Sequence, residues 1–575
     1  MKLAEFQRRF YTDDMYPLRI GSGAIGGKAT GLVDITEAIE ADATIKTDSE
    51  VTISIPRMVV IATDLFDEFM EQNRLYDAAL SKIPDDRIAE EFQNAHLPVR
   101  LVGDLRSIAR EVHMPLAVRS SSMLEDALKH PFAGVYATKM IPNNQPNEDQ
   151  RFQKLVQAIK LVYASTFFEG ARRYAQAIGK SSSDEKMAII IQEVVGARHN
   201  DRFYPDISGV ARSHNYYPFG HAQPADGVVN LALGLGKAIV DGEPTWSYCP
   251  AYPMSPPPFN GISDLLKCTQ NNFWAVNMSS ISEYHPTQEN EFLARGLLSD
   301  AEYDNTLHRI ASTYNAPSDR IEMGIGANGP RVINFAPALG LNESPLNTII
   351  RNVLAVCEKS TGANVEIEFA ITFNKSRGFD GRFGLLQVRP TASVQSEIEI
   401  DAWTSESPDS VVFSTRVMGH GMHRVIEDIV FVRPDTFEPR NSLIAAQEIG
   451  RINSHLQKEG RPYLLIGYGR WGTTDPWRGI PVVWDQISGA KVIVEAEMEE
   501  ARSDFSQGSH FFHNMTSFDV SYFHVPSGQG FKLDMEWIER QQVISEHKYT
   551  KHVRVDSPLT VKVDGRNGRG VVHHD

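Results

Sequence analysis

Two short runs near the middle of the chain decide the reading: Val365-Glu366-Ile367-Glu368-Phe369 and Leu385-Leu386-Gln387-Val388-Arg389-Pro390. Apolar and polar residues alternate with period two in both, the pattern of half-buried strands. In the first run, Val365, Ile367 and Phe369 point one way, while Glu366 and Glu368 point the other. In the second, simple alternation places Gln387 and Arg389 on the same face as Leu385. Neighbouring strands of this kind would project two carboxylates, an amide and a guanidinium into one pocket. Hard oxygen ligands beside a fixed positive fork are what a magnesium–triphosphate site needs. The same pattern also fits a half-exposed hairpin with solvated charges, so the rest of the chain has to decide.

Composition narrows the choice. A chain of 575 residues exceeds what one hydrophobic core usually serves, so several domains are expected. Its 42% hydrophobic and 23% charged residues describe an ordinary globular protein. A net charge of −16 argues against a general nucleic-acid or anionic-membrane surface, so neither is expected as a partner. Cys249, Cys268 and Cys357 are scattered and odd in number, which indicates neither a disulfide framework nor a cysteine zinc site. The first residues carry no apolar signal core and no later run approaches a membrane span, so a cytoplasmic location is the default expectation.

Upstream of the carboxylate strands lie further motifs. Gly21-Ser22-Gly23-Ala24-Ile25-Gly26-Gly27-Lys28 is a glycine-rich loop entering a helix whose apolar face carries Leu32, Ile35 and Ile39. Such a loop can bring backbone N–H groups to a phosphate, with Lys28 neutralising it, although Ala29 departs from the Walker A pattern. Pro115 to Ser122 reads as a buried strand that ends in Arg119 and three serines. Phe132-Ala133-Gly134 follows, and Gly134 would permit close backbone approach. Lys186 to Gly196 is a long apolar strand passing into polar residues. It suits either a core strand or the wall of an adenine slot. Residues 141–150 read as a loop, and Asn441–Gln457 as a helix with Ala445, Ile449, Ile452 and Leu456 on one face.

Taken in order, these motifs resemble the nucleotide-binding part of phosphoenolpyruvate synthase and pyruvate phosphate dikinase, an ATP-grasp domain. The likeness runs from Gly26-Gly27-Lys28 through Val118-Arg119-Ser120-Ser121, Gln192 to Val195 and Gly234-Leu235-Gly236 to Glu366-Ile367-Glu368 and Gln387-Val388-Arg389-Pro390. It implies a mixed α/β (α+β) class with two lobes, 1–200 and 201–395, gripping ATP between them. By the same resemblance Lys28, Arg119 and Gly134 meet the phosphates, and Gln192, Glu193 and Val195 flank the adenine. Glu368 and Gln387 hold Mg²⁺, and Glu366 assists or contacts the ribose. Arg389 steadies the transferring phosphoryl group, so Arg119, Arg389 and Lys28 form the catalytic set.

The likeness ends beyond a linker at 396–410. Family members pass phosphate to a histidine on a swivelling domain, and this chain supplies Gly469-Arg470-Trp471-Gly472-Thr473-Thr474-Asp475 where that motif would stand. Residues 411–575 are therefore expected to form a smaller α/β domain, read as a remodelled swivel domain of unknown role. His420, His423, His510 and His513 occur in pairs three apart, and structural or surface roles are the expectation for them because no carboxylate or cysteine completes a ligand set. The expected activity is ATP-dependent phosphotransfer of the dikinase type to an unknown acceptor. A non-catalytic ATP sensor working through a protein partner and an ATP-grasp ligase forming an acyl phosphate are the alternatives.

Overall fold

The structure is a computed structural model. It describes the chain except residues 1–2, 9–16, 43–44, 46–50, 82, 124, 126–134, 178–180, 182–183, 216–217, 219–220, 257–261, 263–264, 267–268, 280–284, 341–344, 375–378, 392–399, 401–404, 474–476, 498–514, 516–519, 566 and 575. Gly134, Thr474, Asp475, His510, His513 and most of the expected 396–410 linker lie outside the described residues. Two compact units emerge. The first comprises Met1–Ser213, Asp226–Ile239 and Pro244–Thr391; the second comprises His214–Ala225, Val240–Glu243 and Ala392–Asp575.

The first unit is built on two six-stranded sheets. One runs in the order Ala4–Glu5, Leu18–Ile20, Met58–Ile61, Met187–Glu193, Leu116–Ser122, Thr138–Ile141. The strand Met187–Glu193 is buried along its whole length, as an uninterrupted apolar run requires. Helix Gly26–Ala41 packs Ala29, Leu32 and Val33 against Met58, Val60 and Ile190 of this sheet. An aromatic cluster of Phe66, Phe69, Phe92, Tyr163 and Phe167 draws helices Thr63–Gln72, Asp85–Asn94 and Glu148–Ser165 together. That last helix begins inside the stretch expected to be a loop, because the Asn147 side chain accepts a hydrogen bond from Asp149 N at 2.7 Å and caps it.

The second sheet runs Trp246–Tyr248, Val228–Ala232, Ile207–Arg212, Val365–Phe373, Gly381–Pro390, Val51–Ser54. Its last strand comes from the N-terminal part of the chain, so the two sheets are interleaved in sequence rather than split near residue 200. Helix Gly26–Ala41 serves both, because its Ile35 and Ile39 join the core formed by Ile367, Phe369, Leu385 and helix Leu346–Thr361.

One expectation about this sheet needs correction. Glu366 pairs with Arg389, Ile367 with Val388 and Glu368 with Gln387, but Phe369 pairs with Leu385. Leu386 is therefore an extra residue, a β-bulge, and it breaks the period-two count. Leu385 joins the apolar core instead of sharing the face of Gln387 and Arg389.

The second unit holds a sheet in which Gly421–Val432, Tyr463–Tyr468, Ala490–Ala496 and Ser521–Val525 lie parallel and in sequence order. Helix Ser442–Lys458 makes the first crossover and buries Ala445, Ile449, Ile452 and Leu456, the face read from the sequence. Antiparallel strands Thr550–Asp564 and Arg569–His573 extend this sheet. No helix among the described residues is long and apolar enough to cross a membrane.

Candidate active site

Alternation and register together set the polar face of the second sheet. Directly paired residues point the same way, so Glu366, Glu368, Gln387 and Arg389 form one patch. Arg119 reaches it from strand Leu116–Ser122 of the other sheet. Its Nη2 donates to Gln387 Oε1 at 2.6 Å and to Glu368 Oε2 at 3.4 Å, and its Nη1 donates to the Leu386 carbonyl at 2.8 Å. The carbonyl that Arg119 uses is the bulged one. A further sequence-derived residue enters here, since Arg119 Nη1 lies 3.4 Å from Gln192 Oε1.

Behind this contact sits a tighter charge network. Arg389 Nε donates to Glu366 Oε1 at 2.7 Å, and its Nη2 donates to the same oxygen. Arg212 Nε donates to the other carboxylate oxygen of Glu366 at 2.5 Å. Glu366 and Arg389 are each 1% exposed, so both are part of the floor. The Glu368 side chain is 18% exposed and lies 3.8 Å from Arg389 Nη2, so it is the carboxylate a solute can reach. Sequence reasoning missed Arg212. It sits across the strand pair from Glu366, a relation visible only in the register.

Polar character continues along the sheet. Glu368 pairs with Val210, Val210 with Asn230 and Asn230 with Ser247, so Asn230 and Ser247 share the face of Glu368. Both polar atoms of Asn230, Ser247 Oγ and Gln192 Nε2 are buried with no partner among the described residues. Buried polar atoms of this sort are costly unless a bound molecule or ordered water completes them.

The remaining sequence-derived residues are placed differently. Lys28 is held at 2.7 Å from Glu125 Oε1 and 3.3 Å from Ser120 Oγ. Glu125 also accepts from Ser120 Oγ and Ser122 N, each at 2.8 Å. The structure does not bring Lys28 into contact with Glu368. Nor are the first amides of the glycine-rich loop aimed at a ligand: Ser22 N and Gly23 N donate to Asp64 Oδ1 at 3.2 and 2.9 Å, and Ala24 N to Thr63 Oγ1 at 3.0 Å. Burial raises the Asp64 pKa, but hydrogen bonds from Gly23, Ser22 and Arg100 outweigh it and leave the carboxyl below its usual value. Gly26 is required on steric grounds, because its φ is +76° and a Cβ there would stand 1.7 Å from Ser121 O.

Glu193 turns away from the Arg119 face and pairs with Arg57 at 2.6 Å. Val195 lies over Gly384, where a Cβ would come within 2.5 Å of its side chain. Among the described residues no group of three or more His, Cys, Asp or Glu side chains could hold a metal ion. A cation here would depend on Glu368, Gln387 and oxygens brought by a ligand.

The family model for the AMP/ATP-binding domain of pyruvate phosphate dikinase matches residues 22–407. The chain belongs to this family of ATP-binding phosphotransferase domains. It is also similar to an uncharacterized phosphotransferase, YvkC, of Bacillus subtilis strain 168, with 27% identity over 193 residues. That match covers 34% of this chain and 21% of the relative, so the chain spans about a fifth of the length of the curated relative it matches. The mixed α/β architecture with its two facing sheets agrees with an ATP-grasp-like fold.

Proposed function

We propose that the chain is a magnesium-dependent phosphotransferase of the dikinase type, binding ATP over the Arg119–Glu368–Gln387 patch and passing a phosphoryl group to an acceptor yet to be identified. The observation that carries this reading is the meeting of Arg119, Gln192, Glu368 and Gln387, drawn from four strands of two sheets, in one polar cluster. A carboxylate and an amide oxygen on paired positions suit Mg²⁺, which takes oxygen ligands and completes its shell from phosphate and water. When bound, the ion would neutralise charge building on the β- and γ-phosphates.

The chain's own groups do the positioning. Arg119 exchanges its contacts to Gln387 and Glu368 for phosphate oxygens. Arg389, fixed by Glu366, supplies a stationary positive charge beside the transferring group. Lys28 adds charge by exchanging Glu125 for phosphate. Gln192 and Val195 flank the adenine, and the unsatisfied Gln192 Nε2 is a donor suited to a ligand, while Glu193, paired with Arg57 on the other face, is left out of that wall.

The test is product analysis after incubation with Mg-ATP. AMP with inorganic phosphate is the expected result. ADP alone would instead indicate simple kinase, ligase or ATPase chemistry, and unchanged ATP that nonetheless binds would make the chain a nucleotide sensor. The sensor draws its support from the sequence: by the family resemblance, Trp471, Gly472, Thr473, Thr474 and Asp475 occur where an acceptor histidine is expected.

A further inference from the structure

We propose that a cavity of the first unit, apart from the Arg119–Glu368–Gln387 patch, binds a small organic anion, a carboxylate or phosphate on an apolar body, as a ligand distinct from the nucleotide. The cavity has a volume of about 480 Å³, within the usual range for small-molecule sites. None of Arg119, Gln192, Glu366, Glu368, Gln387 or Arg389 lines it. Its apolar wall is made by Ile39, Ile53 and Met58, and its polar end by Arg57, Arg382 and Glu193.

The charges at that polar end do not balance. Arg57 Nη2 lies 2.6 Å from Glu193 Oε1, which gives this guanidinium its carboxylate. Arg382 is half-buried, and among the described residues its side chain donates only to Ser54 Oγ, at 3.2 Å. No carboxylate among the described residues comes within ion-pair distance of it. Glu40, the other acidic residue of the wall, is exposed. Burial lowers the Arg382 pKa, Arg57 adds to that, and Glu193 opposes it only in part. A buried guanidinium gains most from a planar anion that can accept two of its N–H groups. Carboxylate and phosphate both meet that need, and the isoleucine and methionine wall favours an apolar body behind them. The back of the cavity is shared structure, since Glu193 N donates to the Arg57 carbonyl at 3.0 Å and Met58 pairs with Gln192. The proposal nevertheless stands without the nucleotide reading, because it uses no residue of that patch.

Benzoate and phenyl phosphate are suitable probes, with benzyl alcohol as the neutral control, each titrated by calorimetry into the full chain. One equivalent of benzoate or phenyl phosphate should bind to the parent and equally to Arg119→Gln. Arg382→Gln should weaken that binding at least tenfold, and benzyl alcohol should not bind. The head group that binds more tightly identifies the ligand class. Absence of binding by both anions, equal affinity in Arg382→Gln, or loss of binding in Arg119→Gln would overturn the proposal. Arg57→Gln, the second variant, should also weaken the anion if Arg382→Gln does not fold. Unchanged affinity in Arg57→Gln would count against the site. Failure of ATP binding in the parent would leave these outcomes intact and bear only on the nucleotide patch.

Discussion

Lys28 and Arg119 carry the same charge, and the family resemblance gives them the same ligand, yet the fold holds them in opposite ways. Lys28 is closed into a cluster with Glu125, which is 1% exposed and takes two further donors from Ser120 and Ser122. Arg119 crosses from one sheet to the other and rests on the buried Gln387 amide oxygen, the Leu386 carbonyl and one carboxylate, Glu368, that solvent can reach. A cation inside a buried, fully matched cluster contributes first to stability. A cation on exchangeable acceptors can change partners at small cost. The difference between structural and ligand-facing charge therefore lies in the partner carboxylate, buried for Lys28 and accessible for Arg119.

The largest effect should come from breaking the Lys28 cluster. Lys28→Met leaves the buried Glu125 without its counter-charge and should cost about 3–5 kcal/mol of unfolding free energy. Adding Glu125→Gln should restore most of it, and denaturant titration of the three proteins measures both. A Lys28→Met protein as stable as the parent would erase the contrast. On the restored double variant, ATP affinity should fall about tenfold, since one charge-assisted phosphate contact contributes at least about 1.5 kcal/mol.

Arg119→Gln should behave the other way round. ATP affinity should drop by about 1.5–3 kcal/mol, roughly ten- to a hundredfold, while stability changes by less than about 1 kcal/mol. Calorimetry paired with a melting curve separates the two. A variant that loses stability but keeps its ATP affinity would make Arg119 a structural cross-brace.

Much of this was legible in the chain itself. Alternation at 365–369 and the apolar spacing of Leu32, Ile35 and Ile39 are local properties, and strand and helix follow them. The Leu386 bulge was not legible, because a period-two reading cannot register one inserted residue until the partner strand is in place. Arg212, 154 residues from Glu366, and Asp64, 41 residues from Gly23, find their partners only after distant segments pack. The unequal settings of Lys28 and Arg119 were hidden for the same reason, since Glu125 lies 97 residues from Lys28.

The smallest effect sharpens the same comparison. Ser120→Ala removes the hydroxyl between Lys28 and Glu125 and should lower stability by about 1 kcal/mol. Its ATP affinity should stay within twofold of the parent. A larger loss of affinity than of stability would place Ser120 on the ligand side of the divide.

On the proposed reading, ATP binds with magnesium through Glu368. Titrating ATP into the parent and into Glu368→Gln, each with and without Mg²⁺, tests it most directly. Affinity should rise with Mg²⁺ in the parent and be nearly insensitive to it in the variant, with metal-free binding similar in both. An equal magnesium response in the two proteins would contradict the account.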